Sequence, residues 1–191
     1  MTEPPPWAGS AGLRRWMPIL IGVPLLTAAY YAAGRLGLRL AVLNESATTV
    51  WPPTGIALAA CLLFGRRLWP GVFLGALLVN LATSGSWPAS LGIAVGNTLE
   101  AVLGCTLVRR YAGALRAFDR ASDVFRFALG AAVVSTTVSA TLGVLTLSLT
   151  GKADWSQFSA IWATWWLGDL GGDLVVAPLL ILWGSKPRPQ W

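Results

Sequence analysis

The feature that most constrains the fold of this chain is a succession of long apolar runs separated by short polar breaks. A bilayer core about 30 Å thick requires about 20 apolar residues in a helix, and backbone there must be satisfied internally. With 55% hydrophobic and 12% charged residues, the runs mostly lack the polar face of a soluble helix. The sequence therefore predicts an all-α, polytopic transmembrane helical bundle of about six segments: residues 16–33, 53–65, 68–83, 89–108, 127–149 and 158–183.

The second segment is unusual because it is short and begins with the sequence WPPTG. That motif consists of Trp51, Pro52, Pro53, Thr54 and Gly55. The 12 residues from Pro53 to Phe64 span only about 18 Å, so this helix cannot cross the bilayer alone. Prolines suit a helix start because they lack the N–H groups left unsatisfied there, and Thr54 is expected to accept from a first-turn amide.

We predict that WPPTG begins a broken or re-entrant helix at membrane depth. Irregular backbone is tolerated there only if it is packed in protein or lines a wet cavity. The positive end of the helix dipole would then favour an anion or a carboxylate. The alternative, that the motif is an interfacial tryptophan followed by an ordinary helix start, explains these residues equally well.

Polar side chains recur inside the later segments. Asn97 and Glu100 share one face of the fourth segment, and Asp169 and Asp173 lie one turn apart in the sixth, beside tryptophans. An ionisable side chain at membrane depth costs about 2.5–3.5 kcal/mol on insertion scales, so these acids predict either a site or interhelical contacts. Arg35 and Arg39 are candidate ion-pair partners. The candidate ligand-binding residues are Trp51, Pro52, Pro53, Thr54, Gly55, Asn80, Asn97, Glu100, Trp165, Trp166, Asp169 and Asp173.

Several chemistries find no support in the sequence. The chain has no histidine, and its two cysteines, Cys61 and Cys105, fall within apolar segments as small core residues do. Nucleotide-binding loops and nucleophile elbows are absent. We therefore expect no metal site, no cofactor and no catalysis. The basic residues are spread over separate loops, so no nucleic-acid role is expected.

Three stretches together resemble the first type of bacterial membrane-associated sensor domain (MASE). They are WPPTGIALAACLLFGRRLWPGVFLGALLVNL (51–81), GNTLEAVLG (96–104) and TWWLGDLGGDLVVAPLLILW (164–183). The family's motif positions correspond to Trp51, Pro52, Pro53, Thr54, Gly55, Asn80, Asn97, Glu100, Trp165, Trp166, Gly168, Asp169 and Pro178. The resemblance implies an inner-membrane input module of two-component or cyclic di-GMP signalling. Its cytoplasmic output domain would be a histidine kinase, a diguanylate cyclase, a phosphodiesterase or a PAS relay.

The residues and the resemblance converge on a sensor with a periplasm-facing intramembrane pocket. Its partners would be membrane lipids, an output domain, and either an unknown small molecule or a transmembrane partner protein, with homodimerisation left open. A small solute transporter or substrate-capture subunit using the same pocket is the alternative. A third reading is a structural scaffold, which would show neither ligand binding nor transport.

The distribution of positive charge predicts the topology. Of the 14 Lys and Arg residues, 11 fall in segments 1–15, 66–67, 109–126 and 186–191, against 3 in 34–50 and 151–157. By the positive-inside rule, both termini are cytoplasmic. Residues 1–15 are then a flexible cytoplasmic tail, 16–185 the sensor domain, and 186–191 a cytoplasmic tail leading towards the output domain.

Thiol labelling from outside the cell tests this topology. We expect a membrane-impermeant reagent to label a Ser86→Cys variant, in the predicted periplasmic turn 84–88, and to leave a Ser185→Cys variant unlabelled. Strong labelling at position 185 with none at position 86 would invert the topology.

Overall fold

The computed structural model describes residues 10–39, 46–48 and 51–185, and this part of the chain confirms the all-α prediction. We number its helices α1 Ser10–Leu38, α2 Pro52–Phe64, α3 Trp69–Ser84, α4 Trp87–Tyr111, α5 Ala121–Leu149 and α6 Trp155–Gly184. Two of them contain π-helical stretches, Ala128–Ser135 in α5 and Gly172–Val176 in α6.

The six predicted segments correspond to these six helices. By length and composition, four are suited to crossing a membrane: Ile19–Leu38 within α1, then α4, α5 and α6. Helices α2 and α3 have 13 and 16 residues, or about 20 and 24 Å, and are shorter than the bilayer core. Helix α1 begins at Ser10, six residues before the predicted first segment. Residues 1–9 and 186–191 of the two predicted tails lie outside the described residues.

The bundle is apolar on its outside, and several polar and acidic side chains are buried within its largely apolar core. Large apolar side chains that are more than half exposed include Leu20, Leu25, Leu129, Leu179 and Trp183. Buried polar side chains include Asn97, Glu100, Ser135, Ser139, Asp169 and Asp173. A soluble domain keeps such large apolar side chains mostly off its surface, whereas a lipid-facing surface is expected to be apolar. The packing therefore supports the membrane assignment made from hydropathy.

Helix α2 lies inside the bundle, in contact with α1, α4 and α6. Every residue from Pro53 to Leu62 except Ile56 is buried, as expected for a helix that is apolar on all sides. Many of these residues are alanine or glycine, which allow neighbouring helices to approach closely. The short helix is thus enclosed by protein along most of its length.

The C-terminal end of α2 is held by Arg109 of α4. The Arg109 guanidinium donates to the carbonyl oxygens of Cys61 and Leu62, at 3.1 and 2.9 Å. These carbonyls belong to the last turn of α2, where the helix dipole is negative, so a cation is favoured there. Gly65, with φ of 104°, ends the helix in a conformation that glycine adopts at little cost.

Hydrogen bonds of three basic side chains show which turns share an end of the bundle. At one end, the Lys152 ammonium donates to the Ser84 carbonyl at 3.3 Å, and the Arg35 guanidinium donates to Ala82 O at 3.3 Å. At the other end, Arg66 donates to Thr106 Oγ1 at 3.2 Å. The turns 84–88 and 151–157 therefore lie at the same end.

Replacing Arg109 with glutamine should destabilise the bundle, because the last carbonyls of α2 lose a charged donor. We expect a loss of about 1–2 kcal/mol, which for a chain of this size lowers the melting temperature by roughly 2–8 °C. Arg110→Gln is the matched control, since Arg110 is exposed like Arg109 but packs over the Tyr111 ring and not against α2. Thermal denaturation in detergent measures both variants. Equal melting temperatures for the two would contradict the role of Arg109.

Candidate functional site

Three carboxyl groups meet in the middle of the bundle. Glu100 of α4 and Asp169 and Asp173 of α6 are each at most 2% exposed, and we call them the carboxyl cluster. Glu100 lies about 20 Å along α4 from Trp87, and Asp169 lies at a similar distance along α6 from Trp155. Both distances start from the same end of the bundle, so the acids lie at a similar depth, near the middle of α4.

The WPPTG motif contacts the carboxyl cluster directly. The Thr54 hydroxyl donates to Asp169 Oδ1 at 2.9 Å, and the Trp51 N–H donates to the Gly168 carbonyl at 3.2 Å. Helix α2 begins at Pro52, so its first two residues are prolines without N–H groups, as predicted. The expectation that Thr54 accepts from a first-turn amide is wrong, because its hydroxyl is oriented towards α6. Asp169 instead supplies the carboxylate that the positive end of α2 favours.

Two glycines allow α2 and α6 to meet backbone to backbone. A Cβ atom on Gly55 would overlap the carbonyl oxygen of Gly172, and a Cβ atom on Gly172 would overlap the carbonyl oxygen of Trp51. Gly172 opens the π-helical stretch of α6, which also contains Asp173. The start of α2 therefore packs on the part of α6 where the regular helical hydrogen-bonding pattern changes.

Tyr30 of α1 and Asn97 of α4 form a second polar contact beside the motif. The buried Tyr30 hydroxyl donates to Asn97 Oδ1 at 2.9 Å, and its ring meets the Trp51 ring edge-on, with centroids 6.3 Å apart. The Asn97 amide donates to Ile93 O at 2.9 Å. The sequence analysis missed Tyr30. A tyrosine within an apolar segment was the available signal, because a buried hydroxyl needs a partner.

Ser139 of α5 joins the site from the opposite side. It accepts from Trp165 Nε1 at 3.3 Å and lies close to both Glu100 and Asp169. Gly143 makes room for the Trp165 ring, since a Cβ atom there would lie 2.7 Å from it. Ser139 was also missed, although hydroxyl side chains at 135, 136 and 139 mark one face of the fifth predicted segment.

Two predicted site residues make their hydrogen bonds away from the cluster. Trp166 stacks on Trp162 with ring centroids 5.9 Å apart, and its Nε1 donates to Val133 O at 3.5 Å. Asn80 is buried, but its amide donates to Ala76 O within its own helix. The helical positions of these residues were predicted correctly. The structure joins neither of them to a carboxyl group by a hydrogen bond.

No basic side chain neutralises the carboxyl cluster within residues 10–39, 46–48 and 51–185. The ion pair found there joins Arg126 to Asp123 at 2.9 Å, on the surface. The suggested pairing of the acids with Arg35 or Arg39 is wrong: Arg35 donates to Ala82 O and Thr83 Oγ1, and Arg39 is exposed. Four buried polar atoms of the site also lack a hydrogen-bond partner: Trp51 Nε1, Glu100 Oε1, Asp169 Oδ2 and Asp173 Oδ1.

A small cavity reaches the cluster at Asp169. Its other lining residues are Ser46, Thr48, Trp51 and Trp165. The space open to the centre of a water molecule is ≈ 10 Å³, which is sufficient for about one water. In this conformation the cavity has no room for an organic ligand. In the described part of the chain, no three His, Cys, Asp or Glu side chains, the carboxyl cluster included, are arranged so that they could hold a metal ion.

The amino-acid sequence was compared with protein-family models, known proteins and solved structures. The family model described as MASE1 matches residues 21–190. The chain is similar to a protein of Escherichia coli (strain K12) named "Probable diguanylate cyclase DgcE", with 30% identity over 155 residues. That match covers 79% of this chain and 13% of the relative, so the chain spans only a small part of that protein's length. No solved structure matches the chain.

Replacing Gly172 with alanine should disrupt the contact between α2 and α6. The added Cβ atom overlaps the Trp51 carbonyl oxygen, and we expect the overpacking to cost about 1–3 kcal/mol. Gly171→Ala is a matched control one residue away, because its Cβ atom would meet nothing within 4 Å. Melting temperatures in detergent should fall for the first variant and stay level or rise slightly for the second. An equal decrease in melting temperature in both variants would mean that replacing a helical glycine, and not disrupting this contact, destabilises the protein.

Proposed function

The chain belongs to the MASE1 family of membrane sensory input domains, and on this premise we propose that it senses through the carboxyl cluster and signals through α6. The observation that carries the proposal is the Thr54–Asp169 hydrogen bond. It links the buried start of α2 to the helix whose C-terminal end points towards residues 186–191. A change at the cluster thus acts on α6 directly.

Sensing requires two arrangements of the helices with different affinities for the stimulus. The contact between α2 and α6 is suited to this, because it combines a side-chain hydrogen bond, a backbone hydrogen bond and a glycine contact at one place. The π-helical stretch of α6 lies at the same place, and such stretches often occur at functional sites. We infer that the stimulus alters how α2 lies on this stretch.

We propose that the stimulus reaches the cluster from the periplasmic side. The cavity beside Asp169 is lined by Ser46 and Thr48 from the connection between α1 and α2, and by Trp51 and Trp165. A small molecule or a transmembrane segment of a partner protein would have to displace these residues to touch the carboxyl groups.

We further propose that the domain lies in the bacterial inner membrane with both termini in the cytoplasm. The predicted charge bias of 11 to 3 supports this orientation. The positions of Arg66 and Arg109 at one end of the bundle, and of Lys152 at the other, agree with it. An output region would then follow α6 in the cytoplasm. By analogy with the E. coli relative, cyclic di-GMP synthesis is one such output.

The sensing role predicts that changes at Glu100 alter output. We would replace the matching segment of the E. coli relative with this chain and measure cyclic di-GMP in cells with equal membrane abundance of each variant. Glu100→Gln should keep the fold, since shape and hydrogen bonding largely survive, but change output several-fold. Glu100→Leu should have a larger effect, because Ser139 and Asp169 lose a polar neighbour.

The control for this experiment is Asp154→Asn, a carboxyl-to-amide change on the exposed turn before α6. Its output should equal that of the unmodified chimera. Unchanged output from both Glu100 variants would make Glu100 a packing residue and remove the cluster from the sensing mechanism.

A further inference from the structure

We propose that the ligand of the carboxyl cluster is the proton, entering from the end of the bundle that carries the turns 84–88 and 151–157, and that proton occupancy sets how firmly α2 is held on α6. This inference rests on the proposed function and specifies the stimulus of the same site.

The first argument is the charge balance of the cluster. Glu100 Oε1, Asp169 Oδ2 and Asp173 Oδ1 are buried without hydrogen-bond donors. An ionised carboxylate in such a place is costly unless it is paired or hydrogen-bonded, whereas a proton on the group removes the charge. Because the three adjacent acids have no counter-ion, binding of protons among their carboxyl groups is favoured.

The neighbouring helices offer little competing charge. On α1, the titratable side chain that faces the acids is Tyr30. On α5, the polar side chain that faces them is Ser139, which does not titrate. On α4, Cys105 lies more than one turn below Glu100, and the Arg109 guanidinium is occupied by carbonyls at the opposite end of α2. Helix α2 contributes Thr54 and, further along, the thiol of Cys61. Within the described residues, proton exchange is thus the available means of neutralising the cluster.

The second, independent argument is the size and lining of the cavity. It touches Asp169 and has room for about one water, so water can enter where a larger ligand cannot. Trp51 lines the same cavity, and its buried Nε1 has no hydrogen-bond partner. A water there would find a donor in Trp51 Nε1 and an acceptor in the Asp169 carboxyl group. That water would connect the acid to the loop containing Ser46 and Thr48.

Protonation at Asp169 acts on the link between the helices. The Thr54 hydroxyl donates to Asp169 Oδ1, and such a bond is stronger when the acceptor is ionised. The negative charge also complements the positive end of α2. Taking up a proton weakens both interactions at once, so α2 is held less firmly on the π-helical stretch of α6.

Proton uptake by the purified chain in nanodiscs tests the proposal directly. Histidine is the side chain that ordinarily titrates between about pH 5 and 8, and this chain has none. Beyond the α-amino group, we therefore expect uptake in this range to come from the cluster. Glu100→Gln, Asp169→Asn and Asp173→Asn should each lower it, with matching loss of the protonated-carboxyl band in infrared difference spectra.

Asp154→Asn is the control carboxyl change. Hydrogen bonds from the Ser156 hydroxyl and N–H hold the pKa of Asp154 below its usual range, so this group stays ionised and its replacement should leave uptake unchanged. Thr54→Val should shift the uptake midpoint to higher pH, because an ionised Asp169 loses a donor, and Thr54→Ser should restore it. A merely structural Thr54 would not move this midpoint.

The outcomes separate the two proposals. Uptake that no cluster variant changes, or an infrared response to Na⁺ at fixed pH without one to pH, overturns proton binding. The unmodified chain decides this even if a variant fails to fold, since absence of a titrating carboxyl band in it is sufficient. Proton uptake together with unchanged chimera output in the Glu100 variants would retain proton binding and reject the sensing role.

Discussion

A short helix buried in a membrane bundle is stable only if both of its ends are satisfied, and α2 depends on this condition. At its N-terminal end two prolines remove N–H groups, and Asp169 supplies a carboxyl group within hydrogen-bonding distance of Thr54. At its C-terminal end the Arg109 guanidinium binds two carbonyl groups. The two side chains complement the helix dipole with the appropriate sign at each end. Much of the remaining structure, including the glycines and the buried polar side chains near its start, follows from enclosing this helix.

The same arrangement explains why acidic groups are present at this depth. A bundle made only of apolar side chains would leave the positive end of α2 without a partner, and lipid could not provide one. Asp169 fills that position, whereas Glu100 and Asp173 exceed what the helix end requires. They lie beside Asp169, and one oxygen of each lacks a hydrogen-bond partner. These two carboxyl groups are therefore not needed to stabilise the helix end. This surplus is the physical basis of our proposal that the cluster has a sensing role.

The outline of the fold could be predicted from hydropathy and helix-breaking residues. The six segments, the helix start at WPPTG and the burial of Glu100 and Asp169 all follow from local pattern and from the cost of exposing an acid to lipid. The partners of these residues could not be predicted in the same way. Asn97 bonds to Tyr30 of another helix, and Trp165 bonds to Ser139. Such pairs depend on how each helix is rotated about its axis, and a π-helical stretch changes that rotation in a way that a regular 3.6-residue period does not anticipate.

The sequence by itself determined that this chain is a membrane bundle, where along the chain its six helices lie, and which ionisable groups must be hidden. These properties are local, because hydrophobicity, proline and glycine act over one or two turns. Only the tertiary structure decided which hidden groups meet: it joined Thr54 to Asp169, brought Gly55 against Gly172, left Trp166 and Asn80 apart from the cluster, and oriented Arg35 away from the acids. The physical reason is that contacts between helices depend on their mutual rotation and depth, which packing of the whole bundle fixes.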